Sequence, residues 1–171
     1  MRFRFLLPAA VLLLFITACG KPPAPAPPPP PKAAPVTPDV VKSLLASAAC
    51  KTGCTPRDGW KLRTGATNYP ITAKWSGGDL NIEVQSVDGT KPTGLGLTFS
   101  DGDSPPTAGR ISEVLQGLGV EAATATTLET AALASIGIKR SSVADAPENC
   151  EGNVCVRASK VLQYVVSVRF K

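Results

Sequence analysis

Of the side chains able to do covalent or metal chemistry, the chain carries five cysteines and no histidine. Four cysteines form two short-spaced pairs, Cys50-x3-Cys54 and Cys150-x4-Cys155, while Cys19 stands alone near the amino terminus. Without imidazole neither Ser-His-Asp nor Cys-His chemistry can operate, because the usual proton acceptor near neutral pH is missing. Four thiolates could hold zinc, but zinc knuckles usually leave two residues between cysteines and occur in reducing compartments. An exported chain oxidises such pairs instead. Disulfides are therefore expected of Cys50, Cys54, Cys150 and Cys155, with no metal and no cofactor. Three pairings are open. Local bridges suit a helix-end turn and the tight Glu151-Gly152-Asn153 turn. Cross-pairing would close loops of about 100 residues, for about 4.7 kcal/mol by chain entropy.

Other candidates are weaker. Cys155-Val156-Arg157 superficially resembles the nucleophile motif of the L,D-transpeptidases, but Gly152, Asn153 and Val154 replace that family's Ser, His and Gly. No histidine exists to activate the thiol. A carboxylate-only, glycan-cleaving pair could be drawn from Asp79, Glu83, Asp101 and Asp103, yet these acids occupy turns or the wet side of a strand, where solubility also places them. Asp101-Gly102-Asp103-Ser104 lacks the spaced acids and closing glutamate of a calcium loop, and reads as a solvated turn. Trp60 and Trp75 border strands and are expected to be partly buried, and Arg140, Ser141 and Ser142 supply no nucleophile–base pair. No catalytic constellation emerges.

The elements that must position these residues follow from periodicity. Thr37-Pro38-Asp39 reads as a helix start, with Thr37 as cap, and Val40, Val41, Leu44, Leu45 and Ala48 share one face of a helix over residues 38–50. Strands are expected over 60–64 and 69–75, then through Leu80, Ile82 and Val84, and through Leu95, Leu97 and Phe99. Turns fall at Gly77-Gly78 and Asp88-Gly89, giving an antiparallel meander. Ile111, Val114, Leu115 and Leu118 mark a second helix. Thr126-x-x-Glu129 resembles a capping box opening a third, ended by Gly137. Leu162, Tyr164, Val166, Val168 and Phe170 form one face of an apolar last strand, expected inside the sheet. The sum is an α+β, two-layer domain: an antiparallel sheet of about five or six strands with two or three helices on one face.

The amino terminus has a different character. Arg2 and Arg4 precede a short apolar run from Phe5 to Phe15, too short to span a bilayer, which takes about 20 apolar residues. The run ends in Ile16-Thr17-Ala18-Cys19, which resembles the lipobox of bacterial lipoproteins. That resemblance implies diacylglyceryl (palmitate-type) lipid on the Cys19 thiol, cleavage before Cys19 and acylation of the new amino terminus. Gly20 follows where an aspartate often signals inner-membrane retention. The resemblance therefore points to the outer membrane, facing the periplasm. From Lys21 to Pro38 the chain is almost wholly Pro, Ala, Lys, Val and Thr, including Pro27–Pro31. Such a stretch favours a polyproline II rod of about 3.1 Å per residue, so it can reach about 60 Å. The expected organisation is a signal peptide over 1–18, a lipid-anchored proline-rich linker over 19–37 and one disulfide-bonded domain over 38–171.

Loss of Arg2 and Arg4 with the leader lowers the formal charge from +5 to +3. The charges are scattered without a basic stripe, so nucleic acid is not an expected partner. Anchor, linker and missing catalytic pairs together lead to the expectation of a non-enzymatic envelope module that binds a protein or peptidoglycan, of the assembly-factor or inhibitor/immunity type. The alternatives are a carboxylate-only glycan-cleaving enzyme and a passive membrane-to-wall linker.

Overall fold

The computed structural model describes residues 37–75, 78–100 and 105–171. By its contacts the chain divides into Met1–Ala34 and Pro35–Lys171. The first unit, which holds Cys19 and the Pro27–Pro31 run, lies outside the described residues, as do Asp101 and Asp103.

Among the described residues eight strands form one sheet: β1 (Cys54–Pro56), β2 (Trp60–Lys61), β3 (Thr67–Trp75), β4 (Gly78–Ser86), β5 (Gly94–Phe99), β6 (Asn149–Glu151), β7 (Val154–Lys160) and β8 (Tyr164–Phe170). Their order is β1-β3-β4-β5-β8-β7-β6, with β2 also pairing β3, and each pairing is antiparallel. Helices α1 (Asp39–Leu45), α2 (Arg110–Gly117) and α3 (Ala122–Ile136) cover one face. This is the expected α+β layering, with more strands than five or six because the short edge strands β1 and β6 and the two-residue β2 add to the count. None of the described helices is long and apolar enough to cross a membrane.

Strict alternation builds the covered face. Ile71 and Ala73 of β3, Leu80, Ile82 and Val84 of β4, Leu95, Leu97 and Phe99 of β5, Val166 and Val168 of β8, and Val156 and Ala158 of β7 all lie in the core. The helices answer with Val40, Val41 and Leu44, then Ile111, Val114 and Leu115, then Leu128, Ala132 and Ile136. Each large side chain buried here contributes about 1.5–3 kcal/mol. α3 packs chiefly on β7, while α2 bridges α3 to α1. α2 approaches the end of α1 and the residues after it closely because Gly117 has no Cβ: one would stand 3.0 Å from Leu44 Cδ1 and 2.6 Å from Ser47 Oγ.

Several expectations are corrected. The first helix stops at Leu45, and residues 48–50 form a separate 3₁₀ turn. Thr37 is not its cap: Pro38 holds that position with no side-chain bond, and the Val40 N–H donates instead to the Gly89 carbonyl in the β4–β5 turn. The strand expected over 60–64 ends at Lys61, because Leu62 turns back through a bond from its N–H to the Ala66 carbonyl.

The capping box is absent, since α3 begins one turn earlier and Thr126 lies inside it, donating to the Ala122 carbonyl. Glu129 caps a different helix. Its carboxylate, only 5% exposed, accepts from the N–H groups of Gly109 and Ile111 at 2.9 Å and of Ser112 at 3.4 Å, at the start of α2. Gly109 reaches this carboxylate with φ of 96°, a left-handed backbone natural to glycine. Finally, Leu162 is not part of the buried face. It is 89% exposed in the turn before β8, where the alternation continues in sequence after the ladder has ended.

Candidate binding surface

The register places a second set of residues on the face opposite the helices. On β3 these are Asn68, Pro70, Thr72 and Lys74; on β4, Asp79, Asn81, Glu83 and Gln85; on β5, Gly94, Gly96 and Thr98. On β8 they are Val165, Ser167 and Arg169, and on β7, Cys155, Arg157 and Ser159. Antiparallel sheets often leave one face wet, and this one is largely polar. Gly94 and Gly96 lie in β5, a central strand, facing Gln85 and Glu83 on one side and Arg169 and Ser167 on the other. The side chains of β4 lean over these glycines: a Cβ on Gly94 would stand 2.7 Å from Gln85 Oε1, and one on Gly96 would stand 3.7 Å from Glu83 Cβ.

Charge is divided across this face. β4 carries Asp79 and Glu83, whereas β7 and β8 carry Arg157 and Arg169. Both arginines are oriented by Glu148, Arg169 Nη2 at 2.9 Å and Arg157 Nε at 3.4 Å. Arg157 also donates from Nη1 to the Ala144 carbonyl. The hydrogen bond from Arg169 holds the Glu148 carboxyl below the usual range, assisted by both positive charges and opposed by desolvation. A hollow of about 260 Å³ beside this cluster is lined by Cys155, Arg157, Ser167, Arg169 and Glu148. Glu148 had no sequence signal: it lies in a loop and reaches Arg169 across 21 residues of chain.

The other candidate residues are placed as follows. The structure joins Cys50 to Cys54 and Cys150 to Cys155, the two local pairs, with S–S distances of 2.00 and 2.14 Å. Glu148 and the sulfurs of Cys150 and Cys155 lie within 4.8 Å of one another, but disulfide sulfurs offer no thiolate to a metal. Asp79 and Glu83 lie four residues apart on one strand, so their backbones are separated by about 13 Å. A glycosidase's carboxyl pair sits about 5–9.5 Å apart. Asp79 is moreover engaged by Lys74 at 2.6 Å. Trp60 is 48% exposed and lies beside Asn68 on the uncovered side, a correction to its expected burial, because β2 is a two-residue outer strand with no neighbour beyond it. Trp75 ends β3. Ser142 and Asp145 cap the 3₁₀ turn Val143–Asp145 reciprocally, and Ser141 donates to Asp145 at 2.7 Å.

Compared with known proteins, the chain matches no family model, no curated protein and no solved structure.

Proposed function

We propose that the chain is a lipid-anchored protein of the bacterial envelope, held at the outer membrane through Cys19. Its body works without catalysis by binding another envelope protein or peptidoglycan on the uncovered sheet face. One observation carries the reading: Gly94 and Gly96 in a central strand. Glycine inside a strand lowers its stability and often marks a site where a ligand or another backbone comes close. The arginines held by Glu148 on the neighbouring strands add directional donors for carboxylate or other acceptor groups. The lipobox and proline-rich linker supply the tether and the reach.

Site-specific photo-cross-linking tests it. A photoreactive residue at Thr98, on the same face of β5 as Gly94 and Gly96, should trap one discrete partner in intact cells, while one at Thr130, exposed on α3, should not. Equal labelling at both sites would refute the assignment. So would absence of an adduct at Thr98 together with turnover of a substrate by the purified protein. The anchor is tested separately: mass spectrometry should find acylated Cys19 at the amino terminus, and Cys19→Ser should leave the membrane fraction with its four body cysteines still oxidised.

A further inference from the structure

The β7–β8 turn, residues 161–163, is closed by a hydrogen bond from the Val161 N–H to the Gln163 carbonyl. Leu162 at its apex is 89% exposed, the most exposed large apolar side chain among the described residues. The segment after α3 runs beside this turn, with Lys139 bridged to Lys160 in parallel register, the Lys160 N–H donating to the Ile138 carbonyl and the Arg140 N–H donating to the Lys160 carbonyl. The bridge thus brings Lys139 and Arg140 alongside Lys160, the residue that leads into the turn, with Ile138, itself 49% exposed, preceding them; Lys139 is exposed, while Arg140 and Lys160 are half-buried. Among the described residues no carboxylate pairs with any of these three cations. The Lys160 ammonium instead sits 4.7 Å from the Tyr164 ring centroid, which fixes it at the base of the turn.

We infer that this tip is a membrane-contact site that inserts Leu162 into an anionic phospholipid surface while the three cations meet the headgroups. Charge complementarity and size select this occupant. A specific protein interface buries about 800 Å² per partner, far more than one apolar side chain and its basic collar provide. A bilayer surface accepts a convex apolar tip without a matching pocket, and each nearby cation strengthens binding about fivefold through the negative surface potential. The inference is independent of what the uncovered sheet face binds.

The test uses the body alone, residues 37–171, which contains every core residue among those described and lacks Cys19. It is sedimented with vesicles of phosphatidylethanolamine and phosphatidylglycerol at 3:1, and separately with vesicles of phosphatidylcholine. Binding should be at least tenfold stronger to the anionic vesicles and should weaken as salt is raised. Leu162→Asp should reduce it at least tenfold, and Lys139→Ser about fivefold. Both substitutions are at exposed positions, so unchanged thermal melts will show that the fold is intact. Equal affinity for both vesicles, failure to bind either, or indifference to Leu162→Asp would overturn the inference. So would capture of an acidic protein, sensitive to Leu162→Asp, in place of lipid. None of these outcomes bears on cross-linking at Thr98, so the two readings fail separately.

Discussion

Along β4, Leu80, Ile82 and Val84 are at most 3% exposed, whereas Asp79, Asn81, Glu83 and Gln85, interleaved with them, lie on the uncovered face. One strand thus serves two surfaces with opposite physical demands. The covered face is apolar, close-packed and intolerant of altered volume. The opposite face carries paired charges and is interrupted by Gly94 and Gly96, which weaken the strand they occupy. It is partly exposed along β4, whereas Cys155 and Ser159 at its β7 end are buried where the 143–145 turn packs. Stability is therefore concentrated on one side of the sheet and the capacity for recognition on the other, and substitutions should separate the two.

The largest effect is expected from Phe99→Ala, which removes a fully buried ring from β5 between Leu80 and Tyr164. It should lower unfolding free energy in urea by about 4 kcal/mol. Next comes Glu129→Ala, which leaves the N–H groups of Gly109 and Ile111 without their acceptor at a buried helix end. A loss of about 3 kcal/mol is expected, and Glu129→Gln should restore part of it. A loss below about 1 kcal/mol would mean that α2 is held by packing alone.

The disulfides sharpen the comparison because they close loops of nearly equal length, with separations of four and five residues. Chain entropy assigns each about 2 kcal/mol. Cys50 packs in the helix-side core, while Cys155, though also buried, faces the opposite side of a hairpin that β8 also supports. Replacing Cys50 and Cys54 together by Ala should therefore cost more than replacing Cys150 and Cys155, as read from paired urea melts. Glu83→Lys on the uncovered face should change stability by less than about 0.5 kcal/mol while abolishing the Thr98 cross-link.

The smallest effect concerns acid. The Thr90 N–H, the Thr90 hydroxyl and the Lys91 N–H hold the Asp88 carboxyl at about 2, down from 3.8. A folded-state value below the unfolded one contributes stability above about pH 4, lost as pH falls towards 2. Thermal melts between pH 5 and pH 2 should fall more steeply for the wild type than for Asp88→Asn.

The covered face was legible in the sequence because a two-residue period leaves its mark in residue type. Leu80, Ile82 and Val84 announce both the strand and its buried side. The same signal misled at Leu162, where the alternation outlasts the ladder, and failed at β1, three residues including Pro56 that pair only at the sheet margin. Glu129 was misread for a deeper reason. The pattern Thr126-x-x-Glu129 reports a local option for the backbone, and the carboxylate took a tertiary one, at a helix start 18 residues away. The candidate surface was less legible still. The wet residues of β4 and the glycines of β5 could be assigned to one side, but the clamp of Glu148 on Arg157 and Arg169 depends on a loop docking across the sheet.

The margins of the sheet carry a final consequence. An outer strand offers unpaired N–H and carbonyl groups on which a second chain can polymerise. Here both outermost strands of the sheet order, β1 and β6, are three residues long, and each contains a bridged cysteine, Cys54 in one and Cys150 in the other. Beyond the end of β6, the segment at Lys139 covers the free side of β7. Each bridge pins its short outer strand in place, so reducing agents are expected to free the sheet margins and promote assembly of still-folded molecules, as read by light scattering.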